Sequence, residues 1–312
     1  MHNNLSAGTP FNKALQLVSL LLVLFGFVLL GSVVFMQSMQ FLLGTSFTST
    51  ASLFEILKSL PPNNYLLVAQ MLTALTSFIF LPFLYAKYFL KELLESIKFS
   101  ITATPVLSLL AISISLMSFP LIGYLALINK EIISMLPAMD QLLPWMEKSE
   151  ADAKQLTELM VYFHTPLQSL LALLVIAILP ALGEEFLFRG IIQNRLKTIF
   201  GNPHAAIWLT GFLFSFIHFQ FFGFIPRVFL GVLFGYIYYW SGNLWLPILM
   251  HFTNNSFTLL VVNWQKDRGV ADALDTEQQA PIIVIIICST ILVWLIWNFV
   301  NKCKTNYRSS IT

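Results

Sequence analysis

The sequence predicts an all-α integral membrane protein of about eight transmembrane helices, bundled around a polar intramembrane cavity. Three observations lead there. Of 312 residues, 57% are hydrophobic and 10% charged, against roughly 25% charged in ordinary soluble domains. Apolar runs recur that approach the ~20 residues needed to cross ~30 Å of hydrocarbon. Lys and Arg fall unevenly on alternate sides of those runs, as the positive-inside bias requires.

The runs lie at about 14–36, 65–85, 105–127, 167–187, 203–221, 224–240, 246–262 and 281–300. The first exceeds 20 residues and lacks a small-x-small site at its end, so it reads as a retained span and not a cleaved signal. The fifth, sixth and seventh are short and divided by turn residues, Gly223, Pro226 and Ser241-Gly242-Asn243. With the N-terminus cytoplasmic, 10 basic residues fall on that side, from Lys13 to Arg308, and 6 on the other, among them Lys130, Lys154 and Lys266. Both termini are therefore expected in the cytoplasm. No repeat or soluble insert interrupts the chain, so 1–312 reads as a single membrane domain.

Two connections carry structure of their own. Phe89, Leu90, Leu93, Leu94 and Ile97 recur at helical spacing opposite Lys91, Glu95 and Lys98, which predicts a helix lying on the cytoplasmic surface. The polar, acidic stretch from Ser149 to Phe163 predicts an extramembrane helix with Ser149 as its cap and Asp152 in its first turn.

Ionisable residues inside apolar helices cost about 2.5 to 3.5 kcal/mol each at the helix centre, so they need partners or a task. Glu184-Glu185-Phe186-Leu187-Phe188-Arg189 places three in six residues at the end of the fourth run. Residues four apart share a helix face, so Glu185 and Arg189 can pair while Glu184 is rotated about 100° away and stays free. The fifth run contains His218, with Phe214 one turn before it on the same face. Glu184 and His218 each lie 17 residues from Gly201. In an antiparallel helical hairpin such equidistant residues share a depth and can meet. The seventh run adds His251 and Asn255, again four apart. His218 lies close before the turn at Gly223 and His251 well after the turn at Asn243, so flush hairpins would hold the two imidazoles at different levels, unless the turn at Gly201 projects beyond the membrane.

A carboxylate, two imidazoles and an amide, with no Ser or Cys nucleophile beside a base, suit activation of water for attack on a carbonyl. Two routes stay open: Glu184 as general base aided by His218, or a divalent metal such as zinc held by His218, His251 and Glu184. The H-E-x-x-H pattern of zincins is absent. Asn255, with an imidazole, could stabilise the oxyanion. Other functions are disfavoured. Cys288 and Cys303 are placed for neither a disulfide nor a metal cluster, and a net charge of +2 with no clustered basic face gives no footprint for nucleic acid.

Taken together, E-E-x-x-x-R at Glu184 to Arg189, F-x-x-x-H at Phe214 to His218 and H-x-x-x-N at His251 to Asn255 resemble, in order, the motifs of the CPBP intramembrane proteases. That family includes type II CAAX prenyl endopeptidases and bacterial bacteriocin-processing or immunity proteins. The motif-bearing core is about 165–262. The resemblance implies Glu184, His218, His251 and Asn255 as catalytic, with Glu185, Arg189 and Phe214 supporting them. It further implies an endopeptidase cleaving a membrane-associated, sometimes lipidated, protein or peptide. Membrane lipid is the surrounding partner, and the expected location is the cytoplasmic membrane of a bacterium. Two other classes compete: a proton-coupled transporter using Glu184, Glu185 and His218 as a relay, which the absence of an inverted repeat disfavours, and a non-catalytic membrane partner that only binds peptides.

Overall fold

The computed structural model describes residues 10–47, 50–59, 64–98, 105–135, 141–161, 165–268 and 280–309. Among them there are eleven helices and no strand: α1 Pro10–Leu43, α2 Thr50–Ser59, α3 Tyr65–Phe89, α4 Lys91–Ser96, α5 Pro105–Ser134, α6 Leu143–Val161, α7 Pro166–Phe200, α8 Pro203–Phe216, α9 Phe224–Ser241, α10 Trp245–Asp267 and α11 Ile282–Ser309. In hydrocarbon every backbone polar group has to be satisfied within the segment, which is why apolar runs of this length become helices. The protein is an all-α integral membrane protein.

Five helices, α1, α3, α5, α7 and α11, are long and apolar enough to cross a bilayer. The expected count of eight is therefore not reached on length and hydropathy. Helix α8 has 14 residues, about 21 Å at 1.5 Å per residue, short of the ~30 Å of hydrocarbon. Helix α10 carries His251, Asn254 and Asn255 in its first half, which lowers its hydropathy. Large apolar side chains such as Phe11, Leu22, Ile283, Trp294 and Trp297 are left exposed along α1 and α11, the outer wall of the bundle.

Helix α7 runs 35 residues, about 52 Å, so the turn at Gly201 projects well past the apolar run. Gly201 takes φ 68°, the left-handed conformation that ends a helix. Asn202 then caps α8, its Oδ1 accepting from the backbone N–H of His204 and Ala205. Helices α8 and α9 approach so closely at Gly211 and Gly231 that a Cβ on Gly231 would stand 2.7 Å from the Gly211 Cα. Small residues at this crossing let the two backbones touch, the usual means of packing helices in lipid.

The two extra connections differ in detail from expectation. Helix α3 continues to Phe89, the chain bends at Leu90, and α4 follows as a short helix whose Leu94 packs with Leu90 on the cluster around Leu187 and Phe188. The helix expected to start at Ser149 begins instead at Leu143, so Ser149 lies inside it and is no cap, nor is Asp152 in the first turn. Met146 is buried and the Trp145 ring lies 5.1 Å from that of Phe221, so apolar contacts draw the helix start N-terminally. Phe163, the expected far end, lies outside the described residues.

Candidate active site

Helix α7 is not a uniform α-helix. Two stretches, Leu173–Ile178 and Phe186–Gln193, are wound as π-helix and bracket the short α segment Leu179–Glu185 that ends in the paired glutamates. A π turn displaces backbone carbonyls from their usual partners, and such turns gather at functional sites. Side chains here take up those carbonyls. Asn255 Nδ2 donates to Ile176 O at 3.0 Å, and Asn194 Nδ2 donates to Arg189 O and Gly190 O at 3.1 and 3.0 Å.

The two glutamates have different surroundings. Glu185 is fully buried, and its Oε1 accepts from both Arg189 Nη1 at 2.7 Å and His251 Nδ1 at 2.8 Å. Arg189, also fully buried, sends Nη2 to Gly231 O at 2.8 Å and lies over the rings of Phe214 and Phe234, at 5.0 and 5.4 Å from their centroids. Gln193, one turn on, repeats the contact with Gly235 O at 3.1 Å. Arg189 and Gln193 thus bolt α7 to two carbonyls of α9 spaced four residues apart.

Glu184 faces the other way, into a cavity of about 590 Å³ lined also by Phe214, His218, Arg227, His251 and Asn255, with Leu156 and Met160 of α6 on one wall. Its Oε2 lies 4.0 Å from His218 Nε2. That is beyond a direct hydrogen bond. One oxygen atom about 2.8 Å from both would subtend roughly 90° between them, a geometry a water molecule can adopt. His218 Nδ1 lies 2.7 Å from Phe214 O, a pure acceptor. Nδ1 therefore carries the proton and Nε2 presents a lone pair toward Glu184. By the same reasoning, His251 donates Nδ1–H to the Glu185 carboxylate and leaves its Nε2 unspent.

The difference in depth between the imidazoles is bridged by Phe214. Its ring centroid stands 5.2 Å from that of His218 and 6.0 Å from that of His251, while His251 also faces Phe234 at 5.6 Å. His218 sits just beyond the end of α8 and His251 deeper, at the level of Phe234, and the cavity spans both levels. Asn255 is fixed at both ends, donating to Ile176 O and accepting from Asn254 Nδ2 at 3.2 Å. One N–H of its amide remains available.

All residues singled out from the sequence thus meet around one cavity or directly behind it. Among the described residues no group of three or more His, Cys, Asp or Glu side chains is arranged to hold a metal ion.

Several residues escaped the sequence reading. Asn129 of α5 holds the turn that carries His218: Nδ2 donates to Phe221 O at 2.8 Å, and Oδ1 accepts from Ile225 N at 3.2 Å. Ser215 Oγ donates to Phe224 O across the same turn at 2.8 Å. Glu150 of α6 lies near the backbone of Phe221 and Phe222, and its charge acts on Arg227. A signal existed for one group alone: Arg189 and Gln193 continue the four-residue step begun at Glu185, and Gly231 and Gly235 form a small-xxx-small pair.

Comparison with known proteins gives two matches. Residues 166–257 match the sequence profile of the family described as type II CAAX prenyl endopeptidase Rce1-like. The protein YpbD of Bacillus subtilis (strain 168) is 30% identical over 116 residues, which cover 35% of this chain and 57% of YpbD. The chain thus spans little more than half the length of that relative. No solved structure matches. The matched stretch opens at the first residue of α7 and closes just after Asn255, enclosing Glu184, Glu185, Arg189, Phe214, His218 and His251. Through residues 166–257, this membrane protein is similar to the family described as type II CAAX prenyl endopeptidase Rce1-like.

Proposed function

We propose that the protein is an intramembrane endopeptidase that hydrolyses a peptide bond in a membrane-associated protein or peptide, using Glu184 as general base. The observation that carries this reading is the 4.0 Å separation of Glu184 Oε2 and the lone-pair Nε2 of His218 across a cavity inside the bundle. A water molecule held between them gives one proton to Glu184 while its oxygen attacks the substrate carbonyl carbon. His218, accepting from the other O–H, orients it.

The oxyanion that forms needs donors where the charge develops, and one lost donor of this kind costs about 2.7 to 4 kcal/mol. The free N–H of Asn255 is one. Nε2–H of His251 in its protonated form is the other, with Glu185 balancing the imidazolium through Nδ1. Collapse of the tetrahedral intermediate breaks the C–N bond, and the proton stored on Glu184 passes to the departing amine. Burial of Glu185 and Arg189 away from the cavity favours a supporting role for both. Supply from the bilayer suits the lipid-facing walls of the bundle. The basic-residue bias supports a reading with both termini in the cytoplasm and the protein in the cytoplasmic membrane of a bacterium.

The test is proteolysis in proteoliposomes with lipidated and unlipidated peptides, comparing the wild-type protein with Glu184→Gln and His218→Ala, with and without a chelator. Cleavage by the wild type, abolished by Glu184→Gln and retained in chelator, is expected. Undiminished cleavage by Glu184→Gln would overturn the assignment of the base, and loss in chelator would return the chemistry to a metal.

A further inference from the structure

The cavity contains a cation that none of the three motifs includes. Among its lining residues Arg227 is the only Lys or Arg, placed near the first turn of α9 and facing the same space as Glu184 and His218. Its Nη1 donates to Gln220 O at 2.8 Å and its Nη2 to Gln220 Oε1, both neutral acceptors. Among the described residues no carboxylate lies within ion-pair distance of it; Glu150 and Glu184 act on it from farther away. The contrast with Arg189, which is paired at 2.7 Å, is direct. A guanidinium held in a part-buried, low-dielectric cavity without a contacting anion is under-compensated, and it favours any carboxylate that enters, through a planar two-pronged fork.

The rest of the cavity limits what that carboxylate can belong to. Leu156, Met160, Val175, Ile176 and Pro180 line the same space with apolar surface. A small inorganic anion would leave that surface wet. A peptide with aliphatic side chains and one negative group covers it and meets the cation at once. A Cβ at Gly223 would stand 2.6 Å from Arg227 Nη2, so the guanidinium lies close against the turn before α9.

We propose that Arg227, steadied by Gln220, is a specificity-determining residue that binds a carboxylate of the substrate peptide within the cavity. This rests on the endopeptidase reading for the word substrate, though the anion site stands on its own geometry. Either a free C-terminus or an acidic side chain supplies the same chemistry.

The experiment measures binding separately from cleavage. The Glu184→Gln protein in detergent micelles is titrated, by fluorescence anisotropy, with three labelled nonapeptides of Ala, Leu and Met: one with a free C-terminal carboxylate, its C-terminal amide, and the amide with one Glu near its end. A charge-assisted contact of this kind predicts that a carboxylate-bearing peptide binds about 10- to 100-fold more tightly than the plain amide. Tight binding by the free acid alone identifies the C-terminus, and tight binding by the Glu-containing amide identifies a side chain. The preference should disappear when Arg227→Gln is added and persist in part with Arg227→Lys, which keeps the charge. Equal binding of all three peptides, binding of none, or a preference that survives Arg227→Gln overturns the proposal. Carboxylate-selective binding by a wild-type protein that cleaves nothing would sink the protease reading and leave the anion site intact.

Discussion

Glu185 and His251, 66 residues apart in sequence, share a 2.8 Å hydrogen bond through the same carboxylate oxygen that holds Arg189. One oxygen thus ties α7 to α10 and orients an imidazole that faces the cavity. The neighbouring Glu184 takes no part in this junction. Adjacent glutamates in one helix therefore separate into a buried strut and a group open to the cavity, and the two are separable by experiment.

Glu185→Gln should unfold the protein at markedly lower temperature, because removing one partner of a buried pair strands the other and typically costs 3–5 kcal/mol. Glu184→Gln should melt close to wild type while losing activity. Thermal unfolding in detergent, read by intrinsic tryptophan fluorescence, distinguishes them. A Glu185→Gln protein as stable as the wild type would mean that Arg189 does not depend on the pair.

Phe214→Leu should lower both stability and turnover. The ring separates the two imidazoles and underlies the Arg189 guanidinium. Loss of the cation–π contact and of core volume together cost about 1–3 kcal/mol. The catalytic deficit should exceed that of a size-matched change at Phe188, which packs edge-on against the same ring at 5.2 Å without lining the cavity. Equal deficits would reduce Phe214 to filler.

Asn129→Leu should reduce kcat by about tenfold or more while the protein stays folded, since it frees the turn that carries His218 and small misplacements of catalytic groups can cost about 10²-fold. Asn129→Asp keeps the acceptor for Ile225 N but cannot donate to Phe221 O as a carboxylate. It should fall between. A kcat that is insensitive to both changes would show that the turn is held adequately by Ser215 and α6.

Burial raises the Glu150 carboxyl above its ordinary value, opposed first by the charge of Arg227 and then by the backbone donors of Phe222 and Phe221. A raised carboxyl binds its proton more tightly in the folded protein than in the unfolded chain. Its stabilising contribution is thus full below the unfolded value near 4.5 and is lost as pH rises through the folded value. Glu150→Gln should flatten this part of the stability profile, measured as unfolding temperature against pH. A steeper profile in the variant would reverse the sign and place Arg227, not burial, in control.

Much of this architecture was legible because lipid imposes simple rules. Apolar length marks the crossing helices, the four-residue step marks Glu185 with Arg189, and equal distance from Gly201 brings Glu184 to His218. What was hidden depends on geometry that residue types do not encode. The π turns of α7 have no compositional mark, yet they free the carbonyl that fixes Asn255. Asn129 lies 92 residues from the carbonyl it holds, and a single polar residue in a long apolar helix gives no hint of its partner. Helix α6 began earlier than expected because Trp145 and Met146 find apolar contacts that local capping preferences cannot anticipate.

The pairing of Glu185 with Arg189 inside one helix also bears on how the chain enters the bilayer. Helix α7 emerges from the ribosome before α9 and α10 do, so neither Gly231 O nor His251 can offset its charges at that moment. Because the two opposite charges lie one turn apart on the same segment, the helix brings its own counter-ion for Glu185, and that pair can partition as a nearly neutral unit. His251 arrives roughly 60 residues later in translation and converts that temporary neutrality into a fixed junction, so synthesis order itself separates insertion of the site from its completion.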